Sequence, residues 1–382
     1  MKDLWKKFKH VDLIKNLSFV GISDILGVVI SSGFWLYIAT IINETEYGEI
    51  SYFLAIAGMS SSFVLLGAEN TLIVYTAKKV KIQSAIFFIV SIIALITSIV
   101  LFIIFQSLEI SIILLGYIIF GLAVHEIIGR QLYKTSSKYL IAQRVLMVGL
   151  SLGLYEIIGL NGLLLGIGFS HLIYVIRIFQ IFREVKVDFT IFKKYFSFMM
   201  YNYSLKIGEA VAGNIDRIII APVFGFAILG NYQLGLQILA ILEIIPAIIY
   251  KYTLPQDATG NVNKKLKIIT ILTSIFLAII VYFVSPILLP IIFPEHENIV
   301  GVTQIMIFVI IPVTIGLMYQ SKFLGQEKSK ILLGSQIIFA AVLILSIFLL
   351  GELWGYNGII IALLISHSVH VSFLALADKY IK

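Results

Sequence analysis

Twelve apolar stretches, each of roughly the 20 residues that a helix needs to cross a bilayer, fill most of this 382-residue chain. They fall at about 17–42, 50–76, 84–106, 110–129, 138–156, 162–182, 196–221, 226–250, 268–293, 299–321, 331–350 and 358–377. None alternates apolar and polar residues as a barrel strand would. The expectation is an all-α polytopic membrane protein with 12 transmembrane helices. Composition agrees: 60% of residues are hydrophobic, 13% are charged, and mean hydropathy is +1.03. The first stretch is too long for a signal-peptide core and lacks a small-residue cleavage site, so it reads as a span that stays in place.

Basic residues orient these spans. With the N-terminus cytoplasmic, 25 of the 28 Lys and Arg fall in inner segments and none in outer loops. The remaining three, Arg144, Lys206 and Arg217, lie inside spans. A missed or invented helix would invert this alternation partway along the chain. Both termini are therefore expected to be cytoplasmic in a multi-pass protein of the cytoplasmic membrane. The net charge of +7 belongs to the membrane face, and no nucleic-acid partner is needed to explain it.

The chain also repeats itself. EIIGLNGLLLGIGFSH at 156–171 returns as ELWGYNGIIIALLISH at 352–367, an offset of 196. SKYL at 137–140 echoes SKIL at 329–332, an offset of 192, and Gly48 and Gly230 close matching outer turns at an offset of 182. Two pseudo-symmetric six-helix lobes follow, residues 1–188 and 189–382. Each has an even number of spans, so the symmetry axis lies along the membrane normal, as in transporters that rock two bundles about a central cleft.

The seventh span is the most polar. At about 100° per residue, Asn202, Lys206, Glu209, Gly213, Asp216 and Arg217 share one face. Such charges face protein or water, because each costs several kcal/mol in lipid. Lys206 and Glu209 are spaced to pair. At the 182 offset Asp24 corresponds to Lys206, so the two could meet across a central cleft. Arg144 and Glu243 are further intramembrane charges. Glu69, Glu126, His171 and His367 read as helix–helix contacts, with a proton or cation relay or the anchoring of an anionic head group as the functional alternative. His367 and His370, three apart, have no third metal ligand nearby. Candidate cavity residues are thus Lys206, Arg217, Arg144 and Asn202; candidates for a coupling ion or ion pair are Asp24, Glu209, Asp216 and Glu243. No metal site and no catalytic residue is expected.

Motifs for chemistry are missing. There is no GxxxxGK(S/T) phosphate loop, no HExxH and no GxSxG. The chain has no cysteine, which excludes disulfides and thiolate metal sites. A non-enzyme without a bound cofactor is expected, with Na+ or H+ as the candidate coupling ions.

The stretch NIDRIIIAPVFGFAILGNYQLGLQILAILEIIPAIIYKYTLP (214–255) resembles the start of the second half of polysaccharide transporters. These are the Wzx-type lipid-linked oligosaccharide flippases of the multidrug/oligosaccharidyl-lipid/polysaccharide exporter superfamily. Asp216-Arg217, Gly230-x-Tyr232 and Leu254-Pro255 carry the pattern, with Tyr47-Gly48, LPIIFPE (289–295) and LWGYNGIIIALLIS (353–366) in matching order. The resemblance implies a V-shaped, alternating-access fold and movement of polyprenyl-diphosphate-linked sugars for cell-surface polysaccharide biosynthesis. Membrane lipids and the lipid-linked oligosaccharide would be the partners, and a monomer suffices. An ion-coupled multidrug or cation antiporter on the same fold is the alternative. A membrane-embedded transferase would need a longer outer loop or a cluster of acids.

Overall fold

The computed structural model describes Ser23, residues 26–260 and residues 262–380. All regular structure among them is helical. In chain order the helices are α1 (Leu26–Ile41), α2 (Glu44–Leu65), α3 (Ala68–Ala77), α4 (Gln83–Phe105), α5 (Leu108–Gly129), α6 (Tyr133–Phe169) and α7 (Val175–Glu184). They continue as α8 (Phe189–Phe224), α9 (Phe226–Leu242), α10 (Ile244–Ala258), α11 (Lys264–Ile292), α12 (Ile299–Met306), α13 (Ile310–Gly325) and α14 (Ser329–Tyr380). Short 3-10 turns join α6 to α7 and α12 to α13.

The expected spans map onto these helices, several of them broken or fused; of the first, 17–42, residues 17–22, 24 and 25 lie outside the described residues. The span at 50–76 is two helices, α2 and α3, separated where Leu66 and Gly67 adopt φ of 52° and 73°. A Cβ on Gly67 would lie 2.5 Å from the carbonyl oxygen of Met199 and from the amide nitrogen of Tyr203, so only glycine lets α8 come this close. The span at 226–250 bends by 47° between α9 and α10. Seven helical stretches among the described residues are long and apolar enough to cross a membrane, eight with the bent pair. α8 is not one of them despite its 36 residues, because its polar stripe dilutes its hydropathy.

Two of those stretches, Tyr133–Glu184 and Ser329–Tyr380, run 52 residues, and each holds two spans joined by a glycine turn. Gly159 (φ 63°, ψ −141°) and Gly355 (φ 56°, ψ −128°) break them. This backbone region is essentially closed to residues with a Cβ. Three residues on, a Cβ at Gly162 would sit 2.1 Å from the Leu154 carbonyl oxygen, and one at Gly358 1.8 Å from that of Leu350. The repeated Gly-x-Asn-Gly motif is therefore a tight helical hairpin, made twice at the 196 offset.

The turn after α5 repeats at the same offset. Arg130, Gln131 and Leu132 donate their amides to Glu126, Ile128 and Ile127; Gln326, Glu327 and Lys328 donate theirs to Lys322, Leu324 and Phe323. Gln131 and Glu327 both have positive φ, 61° and 59°. This corrects the 192 offset suggested by SKYL and SKIL. Those letters match one helical turn out of register, since four residues nearly complete a turn.

By contacts the chain separates into two compact units: Met1–Phe34 with Ile56–Ile207, and Trp35–Ala55 with Gly208–Lys382. The first half of α8 thus packs within the first unit, where Tyr75 meets Tyr195 and Phe198 with ring centroids 4.2 and 5.3 Å apart. The turn between α1 and α2 packs within the second. There Asn43 and Glu46 form a capping box: the Glu46 amide donates to Asn43 Oδ1 (2.9 Å) and the Asn43 amide to Glu46 Oε2 (3.2 Å). The start of α2 then lies directly against the start of α9. A Cβ on Gly48 would stand 1.9 Å from the Phe226 carbonyl oxygen, and one on Gly230 1.8 Å from that of Glu44.

Each unit carries a buried acid held by basic partners. In the first, Glu126 is fully buried; it accepts from Arg177 Nε (2.9 Å) and Nη2 (3.3 Å) and from Arg130 Nε. Arg130 also pairs with Glu184 at 2.6 Å. In the second, Asp257 Oδ2 accepts from Lys267 Nζ and from Ser321 Oγ, both at 2.5 Å, and Lys322 pairs with Asp378. Both clusters tie helices that are remote in sequence.

Candidate functional site

α8 runs without a break from Phe189 to Phe224, so its polar residues keep the common face that their spacing requires. Their surroundings differ. Asn202 is buried and bridges two helices: its Oδ1 accepts from Asn70 Nδ2 at 3.1 Å and its Nδ2 donates to the Phe198 carbonyl at 2.8 Å. One turn on, Lys206 Nζ lies 3.7 Å from Glu69 Oε2, and Glu69 Oε1 lies 3.8 Å from His125 Nε2. Glu69 is thus a partner of Lys206 that sequence spacing could not supply, since 137 positions separate them. Asp24, proposed opposite Lys206, lies outside the described residues. Glu209 is exposed and belongs to the second unit.

Further along α8, Asp216 is buried. It accepts from Tyr232 Oη at 2.8 Å and from the amide of Arg217 at 2.8 Å. The Asp-Arg and Gly-x-Tyr motifs that carried the family resemblance therefore meet. Tyr232 is 1% exposed, and its hydroxyl needs a partner there. The half-buried Arg217 guanidinium lies within electrostatic reach of Tyr47 and Tyr232, and its Nε is buried without a hydrogen bond. Glu243 is half-buried at the bend between α9 and α10.

Arg144 sits in the first unit on α6, half-buried, within electrostatic reach of Tyr117 and Tyr174. Among the described residues its one hydrogen-bonding neighbour is Met147 Sδ, 3.9 Å from Nη1, and its buried Nε finds no partner. Among the described residues neither Arg144 nor Arg217 takes part in a salt bridge, whereas Lys206 does. A membrane-embedded guanidinium without a carboxylate holds two parallel donors ready for an oxyanion such as a phosphate. No group of three or more His, Asp or Glu is gathered among the described residues.

No protein-family model matches the chain, and no curated protein matches its sequence. Solved structures do match, and what they share with the chain is the fold, a helical architecture found in multidrug/oligosaccharidyl-lipid/polysaccharide exporters. A lipid II flippase, MurJ, in an inward closed conformation superposes with a TM-score of 0.76 at 14% identity, over 94% of this chain and 87% of that one. A multidrug-resistance MATE transporter in an inward-facing conformation gives 0.65 at 13% identity, over 93% and 95%. A MATE transporter of Vibrio cholerae gives 0.60 at 12%, over 97% of each chain.

Proposed function

We propose that the chain is a flippase that carries a polyprenyl-diphosphate-linked oligosaccharide across the cytoplasmic membrane by alternating access. Lobes 1–188 and 189–382 rock against each other, and both termini are cytoplasmic. The observation that carries this reading is that two membrane-embedded arginines, Arg144 in one unit and Arg217 in the other, take part in no salt bridge among the described residues. A diphosphate needs such donors, while a cationic drug would be repelled by them. The fold likeness to a lipid II flippase supports the same direction. Lys206, already facing Glu69, and Asn202, engaged with Asn70, line the route in secondary roles.

The second reading is an ion-coupled cation antiporter, which the half-buried Glu243 and the likeness to MATE transporters favour. Binding separates the two. Under the flippase reading, a short-chain polyprenyl diphosphate raises the melting temperature of the purified protein, and the matching polyprenol does not. Stabilisation by a lipophilic cation, with none by the diphosphate, would move the assignment to the antiporter.

A further inference from the structure

The two halves fill the same internal position with different chemistry. The 196 offset, fixed by the backbone bonds of the turn after α5 and its counterpart after α13, pairs Val124 with Gln320, Tyr139 with Ser335, Leu140 with Gln336 and Tyr174 with His370. In the first half Val124, Tyr139 and Tyr174 pack together. Tyr174 is fully buried and stacks on Tyr139 (centroids 5.4 Å apart, planes at 25°), and both belong to one apolar cluster with Val124. In the second half the counterparts Gln320, Ser335, Gln336 and His370 line a cavity of about 120 Å³, together with His367 and Phe339. His370 Nε2 lies 3.1 Å from Ser335 Oγ, and the Phe339 ring is 4.6 Å from that of His367. Two tyrosines have given way to a serine and a histidine, and space has opened where a core would be.

That space suits a small guest. One water needs roughly 10–15 Å³ of such volume, so several fit, and the lining offers them polar partners. Drug-sized ligands occupy roughly 300 Å³ or more. Two imidazoles with amides and a hydroxyl fall short of a metal set. What an imidazole takes up through water is a proton.

We propose that this cavity is a proton-binding site in which His367 and His370 share a single proton. They stand one helical turn apart, so a charge on either opposes a second on the other. Among the described residues no carboxylate, ammonium or guanidinium lines the cavity. On the surrounding helices, Lys322 of α13 is taken by Asp378 of α14, and Lys267 of α11 by Asp257. Lys330 lies in the first turn of α14. α8 packs against α14 where a Cβ on Gly208 would come 3.7 Å from Leu333 Cδ1, and Glu209 follows that glycine. If the chain transports as proposed above, the site makes H+ the coupling ion; the binding itself does not rest on that reading.

The test is a proton count. The purified full chain, in weakly buffered detergent, is titrated from pH 8 to pH 5. Wild type should take up about one proton more than the His367→Gln/His370→Gln double variant. A second variant, Ser335→Tyr/His370→Tyr, restores the first-half residues and should close the cavity. It should lose the same proton while its melting temperature stays at or above that of wild type. A difference of zero protons, or of two, would overturn the shared site, as would undiminished uptake in the tyrosine variant. Flipping in proteoliposomes then reads the coupling: an imposed pH gradient should accelerate wild type several-fold and leave His370→Gln unaffected. Flipping indifferent to the gradient, with the proton count intact, would overturn the coupling role. Absence of flipping under any gradient would sink the transport reading and leave the proton count to stand on its own.

Discussion

Gly48 and Gly230 face each other backbone to backbone, and the contact is reciprocal. Gly48 lies against the carbonyl of Phe226 and Gly230 against that of Glu44; both pairs are related by 182 residues. It is the arrangement a two-fold axis gives when one surface meets its own copy. Missing side chains allow it, and hydrogen bonding secures it: Asn231 Nδ2 donates to Glu44 Oε2 beside the crossing. On the alternating-access reading proposed above, this contact would close one side of the membrane. Gly48→Ala or Gly230→Ala should force the two helices apart. Cysteine labelling by an impermeant reagent at the neighbouring Tyr52→Cys should rise several-fold in either variant; unchanged labelling would contradict that role.

The hairpin glycines predict a stability effect. Gly162→Ala and Gly358→Ala each drive a methyl into a carbonyl oxygen, and overpacking of this kind costs about 1–3 kcal/mol. Both variants should melt earlier in detergent than wild type. Gly153→Ala, with open space around its Cβ position, should not.

The Glu126 cluster predicts a larger loss. Glu126→Ala takes the carboxylate from the largely buried Arg177 guanidinium and leaves Arg130 with Glu184 alone. Breaking a buried pair from one side costs about 3–5 kcal/mol. Folded yield should collapse, while Lys206→Met, which removes a half-exposed contact with Glu69, should shift stability by about 1 kcal/mol or less.

His296 predicts a pH dependence. It sits in the turn between α11 and α12, 1% exposed, with its ring edge-on to Tyr47 at 5.7 Å. Burial pushes its pKa below the usual histidine value, partly offset by the carbonyls of Ala39 and Ile42. Neither ring nitrogen makes a hydrogen bond of normal geometry. The folded state thus binds this proton less readily than the unfolded chain. The stability His296 contributes is complete above about pH 6.5 and declines as pH falls from there toward the lowered folded value. Melting temperature should drop over that window in wild type, and His296→Phe should flatten this component.

The spans, their number and the repeat were legible because they depend on composition and order along the chain. The glycine hairpin was visible as a motif, although its geometry was not. What stayed hidden depends on partners across the fold. Spacing offers Glu209 as a neighbour of Lys206, but it cannot offer Glu69, 137 positions away. Glu126 read as ordinary helix packing because Arg177 lies 51 positions away. The span at 50–76 looked continuous, since Leu66 and Gly67 are apolar and hydropathy does not register φ. The SKYL–SKIL match, one turn out of register, concealed the pairing of Tyr139 with Ser335 and hence the cavity.

The central claim is that this fold moves a diphosphate-linked lipid using Arg144 and Arg217. The direct test reconstitutes the protein in liposomes with a fluorescent polyprenyl-diphosphate oligosaccharide and follows its exposure to an impermeant quencher. The account predicts flipping by wild type and at least a tenfold slower rate in Arg144→Ala and Arg217→Ala, the loss of about 1.4 kcal/mol or more expected when a charge-assisted contact to the phosphates is removed. Flipping at the wild-type rate in both variants, or export of a lipophilic cation with no flipping at all, would contradict it.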